Sequence, residues 1–177
     1  MLTRIGEVKS DRQHMRDLFE INMPNTNFHY GSTNWGNPLG NDYNPPRLFD
    51  IYNDTIFVPN GRGGSSLNCF RVYEAIIADA IPVIVGNEEE VKNTFTFKNG
   101  MPPCVYALTW LMAVETCNIL LNDKKELQNK QDALLKWYSE IIDYAKKIIK
   151  ANAQTQKERT TLDLSSAKEV VCSGTPE

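Results

Sequence analysis

Nowhere do apolar residues run to the roughly 18–20 that a membrane-crossing helix requires, because Asp79 and Glu115 interrupt the two best stretches. The opening residues, Met1-Leu2-Thr3-Arg4-Ile5-Gly6, lack the apolar core of a secretory signal. The chain therefore reads as soluble and untargeted, with no membrane segment. It also lacks a block of like charge: 19 Lys and Arg stand against 22 Asp and Glu, for a formal charge of −3. Binding nucleic acid through its phosphates needs a basic surface, so no nucleic-acid partner is expected. Cysteine is sparse and irregularly spaced. Cys69, Cys104, Cys117 and Cys172 form no CxxC pair, and only His14 and His29 are present to complete a metal shell. No metal site is expected, and so few thiols suit a reducing compartment better than a disulfide scaffold.

What is there suffices for one domain with a buried core: 177 residues, 41% of them hydrophobic. Residues 1–151 alternate apolar runs with helical patterns, whereas 152–177 are mostly polar and are expected to fray as a flexible tail. Leu2 to Val8 reads as a strand. Ser10 offers an N-cap to a helix in which Met15, Leu18, Phe19 and Met23 recur at helical spacing until Pro24. A short strand is expected from Asn27 to Tyr30, and the Asn-, Gly- and Pro-rich stretch from Gly31 to Pro46 reads as a long loop. Arg47 to Tyr52 suit one helical turn, and Thr55 to Pro59 a β-branched and aromatic strand.

The centre of the chain carries most of the information. After that strand come Gly61-Arg62-Gly63-Gly64-Ser65-Ser66, a helix from about Asn68 to Asp79, and the apolar run Ile81-Pro82-Val83-Ile84-Val85. Strand, crossover helix and strand imply a parallel sheet in an α/β fold, with ligands bound beyond the carboxyl ends of the strands. From Tyr106 the pattern turns helical through Leu108, Leu111, Met112, Glu115 and Ile119, with Trp110 and Met112 expected in the core. A long helix follows from about Lys124 to Ala151. Its Leu127, Leu134, Leu135, Tyr138, Ile141, Ile142 and Ile148 make an apolar stripe that faces a sheet or a partner.

The glycine-rich loop has no Lys-Ser/Thr after its glycines, and Ser66 stands where the last glycine of GxGxxG belongs. ATP hydrolysis and simple dinucleotide binding both lose support. Glycines still let backbone amides approach an anion, and a helix N-terminus carries about half a positive charge; a diphosphate fits there, as does a plain strand-to-helix turn. Arg71 and Glu74, three apart, share one face of the following helix. A guanidinium there reaches a phosphate bidentately and a carboxylate accepts ribose hydroxyls, unless the two merely form an i,i+3 ion pair. The apolar Ala75-Ile76-Ile77-Ala78 that completes the helix argues against a purely solvated pair.

Phe57-x-Pro59-x-Gly61, then Arg71-x-x-Glu74-Ala75-Ile76, then Ala80-Ile81-Pro82-Val83-Ile84 resembles the signature of the exostosin family of glycosyltransferases. The resemblance covers roughly residues 2 to 120 and is strongest over 56 to 86. It implies a Rossmann-like parallel sheet flanked by helices, one lobe of a GT-B architecture, with the long C-terminal helix appended. It implies inverting transfer of a sugar from a nucleotide-diphosphate sugar to a glycan hydroxyl, without a catalytic metal. By motif position Arg71 meets the diphosphate and Glu74 the ribose. Gly6-Glu7-x-x-x-Asp11-Arg12 is similar to the family's loop after the first strand, which puts Arg12 at the phosphates. Gly61, Arg62, Gly63, Ser65 and Ser66 complete the expected donor site. The chain starts where the second lobe of such an enzyme starts. An N-terminal acceptor lobe in cis or in trans, or an oligomer, is accordingly expected, and the catalytic base outside this chain. Animal members of the family are generally Golgi membrane proteins, so the resemblance implies a Golgi location if the chain is part of a longer member, whereas the chain as it stands reads as cytoplasmic. The alternative reading is a Rossmann-like binding or scaffold module without transferase activity.

Other residues carry weaker signals. His14 reads as a solvated helix residue, and His29 is a candidate base by residue type alone. Trp35 and Tyr43 read as anchors of the long loop. Glu88-Glu89-Glu90 follows the Ile81 to Val85 strand at the sheet edge where ligands bind, a neighbourhood that the resemblance brings near the donor sugar, but it better suits the first turn of a helix, where acidic side chains complement the dipole.

Overall fold

The computed structural model describes residues 11–23, 45–62 and 66–172, with the side chains of the last helix described as far as Gln156. The strands expected over 2–8 and 27–30 lie outside the described residues, as does the loop expected over 31–46 apart from its last two positions. Two compact units result, Met1–Tyr138 and Ser139–Glu177.

The first unit is α/β, with a parallel sheet flanked by helices and consistent with a Rossmann-like fold. In chain order it contains α1 (Asp11–Asn22), α2 (Pro45–Asn53), β1 (Phe57–Asn60), α3 (Phe70–Ile77), β2 (Ile81–Val85), α4 (Glu88–Phe95), β3 (Val105–Ala107), α5 (Trp110–Asn122) and the start of α6 (Lys124–Cys172). Among the described residues the sheet has the order β1-β2-β3, all parallel. β2 is its centre and is buried at all five positions, as an unbroken Ile-Pro-Val-Ile-Val run requires of a strand covered on both faces. α3 lies on β1 and β2 with α2 beside it, and α5 lies on β2 and β3 with α1 beside it.

A proline in a central strand removes a ladder donor, and the register shows why Pro82 is tolerated. Ile81 N–H donates to Ile56 O on the β1 side at 2.8 Å, whereas Gly86 N–H donates to Ala107 O on the β3 side at 3.1 Å. Alternation along the strand therefore turns the nitrogen of Pro82 toward β3, which pairs only from Val83 onward. The missing donor falls where the neighbouring strand has not begun. Asp79 makes the α3–β2 turn at φ 59°, a left-handed conformation that Asp tolerates better than most residues. Its carbonyl accepts from Gln131 Nε2 on α6 at 2.9 Å.

Several expectations need correction. Residues 105–107 are a strand rather than part of a helical pattern, since β3 is too short for strand periodicity to show, whereas Glu88, Glu89 and Glu90 do form the first turn of a helix, α4, as expected. Trp110 is core, edge-to-face with Phe19 at 6.4 Å, but Met112 is 46% exposed. The apolar stripe on α6 needs no correction in kind, since it is expected to face a sheet or a partner: Leu134 is buried, whereas Leu135 and Ile148 are exposed. The helix also continues past Ala151 to Cys172, because neither glycine nor proline stands between Asn152 and Cys172 to stop it. Ser139–Glu177, taken by itself, exposes Tyr144, Ile148 and Ile149. No helix among the described residues is long and apolar enough to cross a membrane.

What docks the first part of α6 is Trp137. It is 5% exposed and edge-to-face with Phe97 at 5.2 Å, and its Nε1 donates to Gly100 O at 3.0 Å. In return Asn99 Nδ2 donates to Trp137 O at 3.2 Å. Cys69, Cys104 and Cys117 are free and buried, and burial pushes the Cys104 and Cys117 thiols up to about 12. Trp137→Ala is expected to lower the stability of the first unit by about 3–5 kcal/mol, the range for removing a buried aromatic. Urea denaturation followed by circular dichroism measures it, and a loss under about 1 kcal/mol would mean that α6 is not anchored there.

Candidate functional site

β1 ends in Asn60, which is 2% exposed. Its Nδ2 donates to Leu67 O at 3.3 Å and so ties the two ends of the glycine-rich loop together, while its Oδ1 has no partner. The next residue, Gly61, is a glycine for a spatial reason. A Cβ there would lie 2.8 Å from Arg12 Cγ and 3.1 Å from Arg12 Nε, so the side chain of α1 runs directly over the loop's first residue. Arg12 Nη2 then donates to the carbonyl of Arg62. The structure brings Arg12, Gly61 and Arg62 together at the carboxyl end of β1.

Arg62 is itself held by Glu90 on α4. The pairing is bidentate, Nη1 to Oε1 and Nη2 to Oε2, the latter at 2.6 Å. The hydrogen bond from Arg62 keeps the Glu90 carboxyl below the usual carboxylate range. Its backbone is fixed too, because Asn87 caps α4 through Oδ1, which accepts from Glu90 N–H at 2.8 Å. Gly86 lies between β2 and this cap, and a Cβ there would lie 2.6 Å from Leu67 Cδ1, so the buried Leu67 side chain would have to shift. The ends of β1 and β2 are thus joined by polar bonds above an apolar plug, Leu67.

Ser66 Oγ accepts from Asn68 N–H at 3.0 Å and shapes the entry to α3, whose N-cap residue Cys69 offers no side-chain bond. Gly63 and Ser65, the other loop residues expected to hold a ligand, lie outside the described residues, as do His29, Trp35 and Tyr43. His14 is exposed on α1.

Arg71 and Glu74 stand in the first two turns of α3, and they do not form the i,i+3 ion pair. Arg71 Nη1 lies 3.5 Å from Cys69 Sγ, and its guanidinium lies 5.2 Å from the centroid of the Phe70 ring. Glu74 Oε2 is buried and has no hydrogen-bond partner. Desolvation raises the Glu74 carboxyl above its usual value, and the Arg71 charge only partly opposes it. From α2 comes Tyr52, 3% exposed, with its ring among Val58, Ala75, Ala78 and Ala80. Its hydroxyl is also buried without a partner. Burial is the main reason the Tyr52 phenol is pushed up to about 12, with Arg71 lowering it and Glu74 and Cys69 raising it.

No family model matches the chain, and neither a curated protein nor a solved structure matches it.

Two residues of this neighbourhood stand out more in the structure than in the sequence. Glu90 was placed by sequence at the first turn of a helix and at the sheet edge where ligands bind, but its pairing with Arg62, 28 positions away, carries no sequence signal. Tyr52 looked like one apolar residue on a short helix, and nothing in the spacing marks its hydroxyl. Among the described residues no cluster of three or more His, Cys, Asp or Glu side chains is placed to hold a metal ion.

A carboxyl whose folded value is raised binds its proton more readily in the folded chain. Its contribution to stability is therefore greatest below the ordinary value of 4.5 and is lost as the pH rises through the folded value. Glu74→Gln, which cannot ionise, should gain on the wild type across that rise. Melting temperatures of both proteins from pH 4 upward check this, and a gap that stays constant with pH would show that folding does not shift the titration of this carboxyl.

Proposed function

We propose that the first unit is the donor-binding lobe of a GT-B, exostosin-like inverting glycosyltransferase. The reaction is transfer of a sugar from a nucleotide-diphosphate sugar to a glycan hydroxyl. The observation that carries this reading is the seating of Arg12 on Gly61 at the carboxyl end of β1. A guanidinium brought from one helix to the start of a glycine-rich loop, ahead of the N-terminus of another, suits a diphosphate.

In this reading Arg12, Arg71, the loop amides and the α3 dipole stabilise the negative charge that develops on the departing diphosphate. Glu74, unpaired with Arg71, accepts hydroxyls of the ribose. Arg62 is tied to Glu90, and its part is to hold the loop rather than to carry the ligand's charge. A base that deprotonates the acceptor comes from a second lobe, in cis or in trans.

Isothermal titration with uridine and guanosine diphosphates tests the reading. Binding is expected, and Arg71→Ala should weaken it by about 1.5–3 kcal/mol, the scale of a hydrogen bond to a charged group. A folded chain that binds neither diphosphate up to millimolar concentration would end the proposal, and an unchanged affinity in Arg71→Ala would remove Arg71 from the site.

A further inference from the structure

Buried polar atoms without partners are uncommon in native proteins, and each one calls for an explanation. The interface of α2 with α3 holds two of them, Tyr52 Oη and Glu74 Oε2. They belong to one neighbourhood: the phenol feels the charges of Glu74, Arg71 and Cys69, all at the start of α3. The ring of Tyr52 is fixed in an alanine-lined cluster, Ala75, Ala78 and Ala80 with Val58, so its hydroxyl has little freedom to turn elsewhere. The two oxygens do not bond to each other, although a phenol donor and a carboxylate acceptor would make a strong pair if they met.

The chemistry of the missing group follows from the inventory of donors and acceptors. A carboxylate only accepts, while a phenol both donates and accepts. An ammonium would leave the phenol's proton unused, and a phosphate would face the carboxylate with like charge. A hydroxyl donates to Glu74 and accepts from Tyr52 at once.

We propose that Tyr52 is a further ligand-binding residue, and that its hydroxyl and Glu74 Oε2 together seat one ribose hydroxyl of the nucleotide. This rests on the donor-binding reading above and adds to it a residue from α2. Discrimination between ribose and deoxyribose ligands follows, because a ligand lacking that hydroxyl leaves both oxygens unpartnered.

Tyr52→Phe keeps the ring in its cluster and removes only a buried atom that has no partner in the free protein, so the variant should fold with an unchanged or raised melting temperature. The test titrates wild type and Tyr52→Phe with uridine and guanosine diphosphates and with their 2′-deoxy and 3′-deoxy analogues. The variant should bind the ribose ligands about 3–10-fold more weakly, the range of a single hydrogen bond. With one of the two deoxy series the penalty should fall below about twofold. Equal affinities of the two proteins for the ribose ligands would overturn the proposal, as would an equal loss with every ligand. A lowered melting temperature with unchanged affinity would also overturn it, by assigning the hydroxyl to the fold. Should Tyr52→Phe not fold, the hydroxyl serves the fold and the proposal is overturned as well; equal affinity of the wild type for ribose and for both deoxyribose series also overturns it. In each of these cases the wild type binds a diphosphate and the donor-binding reading stands. Failure of the wild type to bind any diphosphate ends both.

Discussion

A strand that is buried at every position has to be covered on both faces and bonded along both edges, and β2 imposes this on the whole first unit. Its side chains call for α3 and α5, and its backbone calls for β1 and β3. The parallel direction of all three strands then collects their carboxyl ends on one edge. In open α/β sheets that edge is where ligands bind, because the backbone there is free of ladder bonds and the helices that follow point their N-termini at it. Arg62 from the loop after β1 meets Glu90 from the helix after β2 for this reason, and Arg12 arrives over Gly61 from outside the crossover.

The candidate site consequently divides its charges by task. At the edge, Arg62 is neutralised by a carboxylate whose own backbone is capped, and the pair acts as a brace. Exposed ion pairs of this kind add little stability, but bidentate geometry fixes direction, and the direction here is across the loop. On α3 the opposite holds. Arg71 and Glu74 stand close enough to influence each other and are not bonded, so both keep hydrogen-bonding capacity directed at something other than each other.

How far the sequence foretold this depended on length and on burial. β2 and α3 were legible because a five-residue, β-branched apolar run is too short for a helix and suits a buried strand, and the stretch between it and β1 is long enough for a crossover helix, which fixes a parallel pairing. β3 was not, since three residues cannot display an alternation, and Tyr106 merges with the apolar helix that follows. The end of α6 was misjudged because polar composition was taken as a sign of fraying, while nothing from Asn152 to Cys172 breaks a helix. At the site, Arg12 could be tied to the loop only through a family resemblance, because α1 and β1 are far apart in the chain. Tyr52 was invisible for a different reason: its ring serves the core, its oxygen does not, and a sequence pattern registers only the ring.

The buried thiols have an experimental use. A thiol held at about 12 is almost wholly protonated at neutral pH, and the thiolate is the form that reacts. Alkylation of Cys104 or Cys117 therefore proceeds through conformations in which the segment leading into β3, or α5, has opened to water. Its rate serves as a clock for local opening, and the same native side chains that fill the core report how often each part of it comes apart.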